Sequence, residues 1–254
     1  PNVRLARHPD EVAALRERLA QAREDAERRG CLAAVDRFAA AVAQSRAVIC
    51  KSRDQLHGMV ASGEGSWMIP TYHDQVRGHA RPPGTPEWDW LRAQERRWFP
   101  FHTERMHYGA LSLDQSGIAA WGEVALVLAE RQIGRRTSVG EDNAVLFGKR
   151  SPMDQPLPRG CRAPWEQRGD LCVAKLYARI ELDTPAEAFQ GILMSDVGER
   201  GQAAFVEVHL YGSLTLDGVA RVRVSRQHEA KSSELWEKLR ARGIEVEFLD
   251  EAAP

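Results

Sequence analysis

The sequence predicts an α+β fold. Two observations carry the prediction: helical patterns gather at the front of the chain, and the strand patterns behind them are numerous and unevenly spaced, unlike a regular doubly wound sheet. No internal repeat is visible.

The elements follow in order. From Pro9 to Arg29, Val12, Leu15, Leu19 and Ala22 recur at helical spacing while Glu and Arg fill the other face. Gly30 ends this amphipathic helix, and Val35, Phe38, Ala39 and Val42 mark a second one over Leu32 to Gln44, packed on the first. The charge run Arg23 to Arg29 reads as a solvated face with i to i+4 pairs. Ala47 to Cys50 is a short β-branched strand; polar Lys51 to Asp54 follows, then a short helix with Leu56, Met59 and Val60 that Gly63 stops. Glu64 to Arg105, dense in Trp, Pro, His and Arg, reads as a long excursion with a helix near Glu87 to Arg97. Strands are expected at Met106 to Leu113, Gly122 to Leu128, Cys172 to Tyr177, Phe205 to Tyr211 and Val219 to Val224. A helix over Ser232 to Ala241 and an alternating strand over Gly243 to Leu249 close the chain. The expected divisions are a helical segment at 1–45, a core at 46–228 and a helix-strand extension at 229–254.

Bulk properties exclude several classes. In 254 residues, 35 Lys plus Arg stand against 36 Asp plus Glu, so no bulk basic field favours nucleic acid. No apolar stretch approaches the roughly 20 residues that cross a bilayer, so no membrane association is expected, and the first residues show no classical signal peptide. Cys31, Cys50, Cys161 and Cys172 form no Cys-x-x-Cys pair and read as reduced, buried thiols. No metal is expected: His-Glu-x-x-His is absent, and a metal centre would need the fold to gather His73, His79 or His102 with distant acids. Glycine-rich dinucleotide and phosphate loops and the Gly-x-Ser-x-Gly elbow are missing as well.

Alternation within Ala204 to Tyr211 puts Val206, Val208 and Leu210 on one face and Phe205, Glu207, His209 and Tyr211 on the other. By pattern alone Glu207 is either a half-exposed strand residue, a salt-bridge partner, or an acid tuned for chemistry beside an imidazole. Tyr108 suits either packing or stacking, and Thr137-Ser138 either a strand-end turn or a pair of pocket hydroxyls. Trp88 and Trp90 are candidates for reading a protein partner.

Ala47-Val-Ile-Cys-Lys-Ser-Arg53 with Leu56, Met59-Val60 and Gly63 resembles the strand-plus-helix opening of ADP-ribosyltransferases. Tyr108-Gly-Ala-Leu-Ser-Leu113, Gly122 to Leu128, Arg136-Thr-Ser-Val-Gly-Glu-Asp-Asn143 and Phe205 to Asp217 extend the resemblance over about residues 46 to 224. The series looks like a bacterial and phage-associated, toxin-type family related to these enzymes, and is similar in outline to bacterial effectors that ADP-ribosylate a threonine of host ubiquitin. The resemblance implies an ADP-ribosyltransferase-like split β-sheet core, NAD as substrate, a protein acceptor with ubiquitin as one candidate, and delivery of a bacterial protein to a target-cell cytosol. It implies Glu207 as the catalytic carboxylate with His209 beside it, although here the acid stands first where the superfamily's pair ends on it. For NAD it implies Lys51, Ser52, Arg53, Tyr108, Gly109, Arg136, Thr137 and Ser138. A carboxylate is required because breaking the nicotinamide to ribose bond passes through an oxocarbenium-like state. The competing expectation is a non-enzymatic domain that binds a protein partner through its helical front and Trp-rich excursion.

Overall fold

Small side chains decide how the front of the chain packs. The computed structural model describes residues 2–62, 86–100, 103–150, 157–196 and 203–250, together with Gln155 and Gly198. A short α1 (Asn2–Ala6) precedes α2 (Pro9–Arg28), which begins on a proline and buries Leu15, Ala22 and Ala26. Gly30 ends it in the left-handed region at φ 72°, with Cys31 N–H bonding back to Ala26 O and Gly30 N–H to Glu27 O, a paired C-terminal cap. The chain thereby turns directly into α3 (Leu32–Ala43), which buries Ala34, Val35, Phe38 and Val42.

The next strand, β1 (Arg46–Lys51), has four consecutive buried residues and leads into α4 (Arg53–Ala61). The expected excursion lies partly outside the described residues, Trp67, His73, His79 and His102 among them. Its helix is α5 (Pro86–Trp98), including the backbone of Trp88 and a half-buried Trp90. Then come β2 (Met106–Ser112), β3 (Val124–Leu128), α6 (Glu130–Ile133), β4 (Thr137–Gly140), α7 (Ala144–Arg150) and β5 (Arg162–Pro164).

Cys172 to Tyr177, expected as a strand, is instead part of the helix α8 (Arg168–Leu176) followed by a single tight turn. The reason is a wide buried face: Leu171, Cys172, Val173, Ala174 and Leu176 are enclosed as α8 packs on α2 and α3, while Asp170 and Lys175 stay partly exposed. An apolar run without periodicity fits a buried helix as well as a buried strand. After α9 (Phe189–Leu193) and β6 (Met194–Ser195), the expected strand at 205–211 is divided. β7 (Ala204–Phe205) pairs with β6, and β8 (Glu207–Tyr211) enters the main sheet. The chain closes with β9 (Val219–Ser225), α10 (Ser233–Ala241) and β10 (Glu245–Leu249).

The result is a mixed α/β protein around an eight-stranded sheet of order β10-β9-β3-β1-β2-β8-β4-β5, antiparallel except for the β9–β10 pair. One face carries the principal core, a contiguous cluster that includes Val206, Val208 and Leu210 along with Phe38, Leu126, Leu171 and Trp236. Among the described residues no helix is long and apolar enough to cross a membrane.

Candidate functional site

The opposite face of β8 holds the polar residues. Register places Ala110 against Glu207, Tyr108 against His209 and Met106 against Tyr211, so these side chains of β2 and β8 share one face. On the other flank, β4 sets Gly140 against Glu207 and Ser138 against His209. The end of α5 covers them: the His209 ring lies 5.4 Å from that of Trp98 and 4.8 Å from that of Phe99, with Tyr108 edge-on at 5.9 Å. Phe147 of α7 braces Trp98 from behind at 5.1 Å.

Glu207 is therefore not a half-exposed strand residue: it is 5% exposed, and His209 1%. His209 Nε2 and Glu207 Oε2 are 2.9 Å apart. Burial, then the Arg162 guanidinium, pushes His209 down to about 3, so the imidazole is neutral at ordinary pH. A neutral ring facing a carboxylate donates through Nε2–H and leaves Nδ1 as a bare acceptor. Neither Nδ1, Trp98 Nε1 nor Tyr108 Oη has a hydrogen-bond partner, although all three are buried. Such orphans in one place are unusual in a protein interior. Burial, with the charges of Glu95 and Glu207, raises Tyr108 well above its ordinary value and keeps the phenol protonated.

Glu95 of α5 was not anticipated. Desolvation first, then the charge of Glu207, lifts its carboxyl to about 7. It precedes Trp98 and Phe99 by three and four residues, and Phe99 N–H bonds Glu95 O at 2.9 Å, so the last helical turn sets all three on one stripe. That spacing was present in the sequence. No sequence pattern marks Arg162, which bonds Trp98 O at 3.2 Å, stacks over the Trp98 ring at 5.2 Å and pairs with Glu11. A third is Asn2, whose Nδ2 donates to His209 O at 2.7 Å, Arg136 O at 3.1 Å and Ser138 Oγ at 3.2 Å, fastening β8 to β4.

The residues expected to hold NAD are not all gathered here. Tyr108 lines the cluster and Ser138 flanks it, whereas Thr137 pairs with Leu210 on the core face and donates to Ile133 O at 2.7 Å. Gly109 lies beside Tyr108 with no room for a side chain, since an added Cβ would stand 2.8 Å from Val48 O. Arg136 is committed to carbonyls, bonding Gln132 O, Tyr211 O and Ser213 O. Lys51 ends β1, two strands from β8 and three residues along from the Val48 level, roughly 14 Å from Glu207, and Ser52 and Arg53 lie farther on. Ser52 caps α4 in a reciprocal pair with Gln55, and Arg53 meets His228 Nδ1 at 3.1 Å.

The four cysteines are free and buried, and burial raises Cys50 to about 11 and both Cys161 and Cys172 to about 12. Among the described residues no three metal-ligating side chains come together. No protein-family model matches the chain, and no curated protein matches its sequence.

Proposed function

We propose that this chain is a mono-ADP-ribosyltransferase with an ADP-ribosyltransferase-like core, with Glu207 as the carboxylate that stabilises the ribosyl cation when NAD loses nicotinamide. The observation that supports this reading is a buried carboxylate hydrogen-bonded to a neutral imidazole within aromatic walls, beside polar atoms with no protein partner. In a site of low dielectric a fixed carboxylate acts strongly on a developing positive charge and accepts a bond from a ribose hydroxyl. His209 holds that carboxylate in one orientation while adding no positive charge of its own. The protonated Tyr108 hydroxyl is a donor suited to a polar substrate group. In this reading the acceptor is a protein, a threonine of host ubiquitin being one candidate, and the chain acts as a bacterial effector or toxin in a target-cell cytosol.

One observation favours a non-enzymatic, protein-binding domain instead. Lys51, Ser52 and Arg53 stand apart from Glu207; Ser52 caps α4 with Gln55, and Arg53 bonds Glu123 and meets His228. Labelled NAD, incubated with the protein alone and with host-cell lysate, separates the readings. The enzyme releases nicotinamide and labels protein, and Glu207→Gln lowers both by about 100- to 1000-fold with the fold retained. If the folded wild-type protein gives neither release nor labelling, the enzymatic reading is removed.

A further inference from the structure

Resting on that reading, we propose that Glu95 is a second catalytic carboxylate, the base that takes the proton of an acceptor hydroxyl as its oxygen attacks the ribose. The geometry comes from α5. Trp98 and Phe99 rest on the His209 ring, and Glu95, one turn earlier on the same stripe, is carried to the same polar cluster. The same turn brings α5 over β2 and β8, with Phe99 6.5 Å from the Tyr108 ring and its N–H bonded to Glu95 O, and the charges of Glu95 and Glu207 both act on Tyr108.

The chemistry needs one base and no acid at the leaving group. The bond from ribose C1′ to the nicotinamide nitrogen breaks with its electron pair passing to that nitrogen, which was cationic and leaves neutral. The acceptor oxygen supplies the pair for the new C1′–O bond, and its proton must go elsewhere. Glu207 is engaged by His209 and by the developing cation, whereas Glu95 is half-buried and has one side toward solvent. The proton passes to Glu95 and from there to water. A carboxyl that titrates near about 7 is well matched to this step, being ionised often enough to accept a proton and basic enough to hold it. The acceptor class that needs such a base is a hydroxyl, on a side chain or as water.

Azide tests this, because it attacks as an anion with no proton to lose. With the full chain, NAD and water or lysate protein as acceptor, Glu95→Gln is expected to lower hydrolysis and transfer by about 100-fold or more. Excess azide should restore nicotinamide release in Glu95→Gln, with ADP-ribosyl azide as product, and should not restore it in Glu207→Gln. The wild-type rate should climb to a plateau above about pH 7, and Glu95→Gln should lack that limb. A Glu95→Gln protein with the wild-type rate, or a loss that azide leaves in place, overturns the proposal. If Glu95→Gln does not fold, Glu95→Asp decides: a reduced rate with a shifted limb supports the base, and an unchanged rate and limb overturn it. An inactive wild type removes the reading of the whole site and this inference with it, while an active wild type with an indifferent Glu95 removes Glu95 alone.

Discussion

Val208 and His209 are adjacent in β8 and both almost fully buried, yet the two faces they point to are built on different terms. Val208 enters a contiguous apolar core with Phe38, Leu126, Leu171 and Trp236. His209 enters a smaller aromatic shell in which Nδ1, Tyr108 Oη and Trp98 Nε1 have no hydrogen-bond partner. Each buried polar atom left so costs about 1–3 kcal/mol, whereas burying an aliphatic or aromatic side chain contributes about 1.5–3 kcal/mol. Stability alone would favour leucine or phenylalanine at Glu207 and His209. The difference teaches that one face of the sheet supplies the stability and the other carries a cost, which is where a functional explanation is required.

The comparison is broken most directly on its stable side. Phe38 is fully buried and meets Phe189 edge-on at 5.3 Å, so Phe38→Ala should lose about 3–5 kcal/mol in denaturant unfolding. A loss under about 1 kcal/mol would mean that the apolar face is not the main stabiliser. A smaller effect is expected opposite Glu207. An added Cβ at Gly140 would stand 2.6 Å from His209 Cε1 and 3.2 Å from Trp98, so the backbone there makes room for the imidazole. Gly140→Ala should cost about 1–3 kcal/mol and move the His209 ring resonances. Unchanged resonances would show that the shell is looser than its contacts imply.

Much of the fold was legible because its signals are local. The stop at Gly30, the stripe of Leu15 and Ala22 in α2 and the alternation of Val206, Val208 and Leu210 are each written within a few residues. Cys172 to Tyr177 differs for a physical reason: α8 buries Leu171 to Ala174 and Leu176, and Lys175 alone interrupts that apolar run, so six residues are too few to separate a helical from a strand period. The site divides in the same way. Glu207 and His209 could be found by alternation within one strand, and Glu95 by its helical spacing from Trp98 and Phe99. The contributions of Asn2 and Arg162 depend on register and on contacts between distant segments, with Asn2 reaching His209 across more than two hundred residues. No local pattern encodes that. A polar turn before a helix, such as Lys51 to Arg53, has the same appearance in sequence whether it binds a ligand or caps the helix; Ser52 caps α4.

The finest difference between the faces is electrostatic and is read in the pH dependence of stability. His209 is depressed from 6.5 to about 3, so its contribution is present above 6.5 and is lost as pH falls toward 3. Glu95 is raised from 4.5 to about 7, so its contribution is present below 4.5 and is lost as pH rises toward 7. Between these windows, from about pH 6.5 down to 4.5, the unfolded chain holds a proton on His209 and the folded chain holds one on Glu95. The two effects oppose each other and nearly cancel. Glu95→Gln removes one side of the balance, so on acidification over that range the variant should lose about 1.4 kcal/mol per pH unit relative to wild type. Taking the difference between the two proteins cancels the groups common to both, and replacing His209 by Gln in the variant should flatten the curve again. Parallel curves for wild type and Glu95→Gln across this range would mean that Glu95 is an ordinary solvated carboxylate, and that the polar face holds one displaced titration where two are expected.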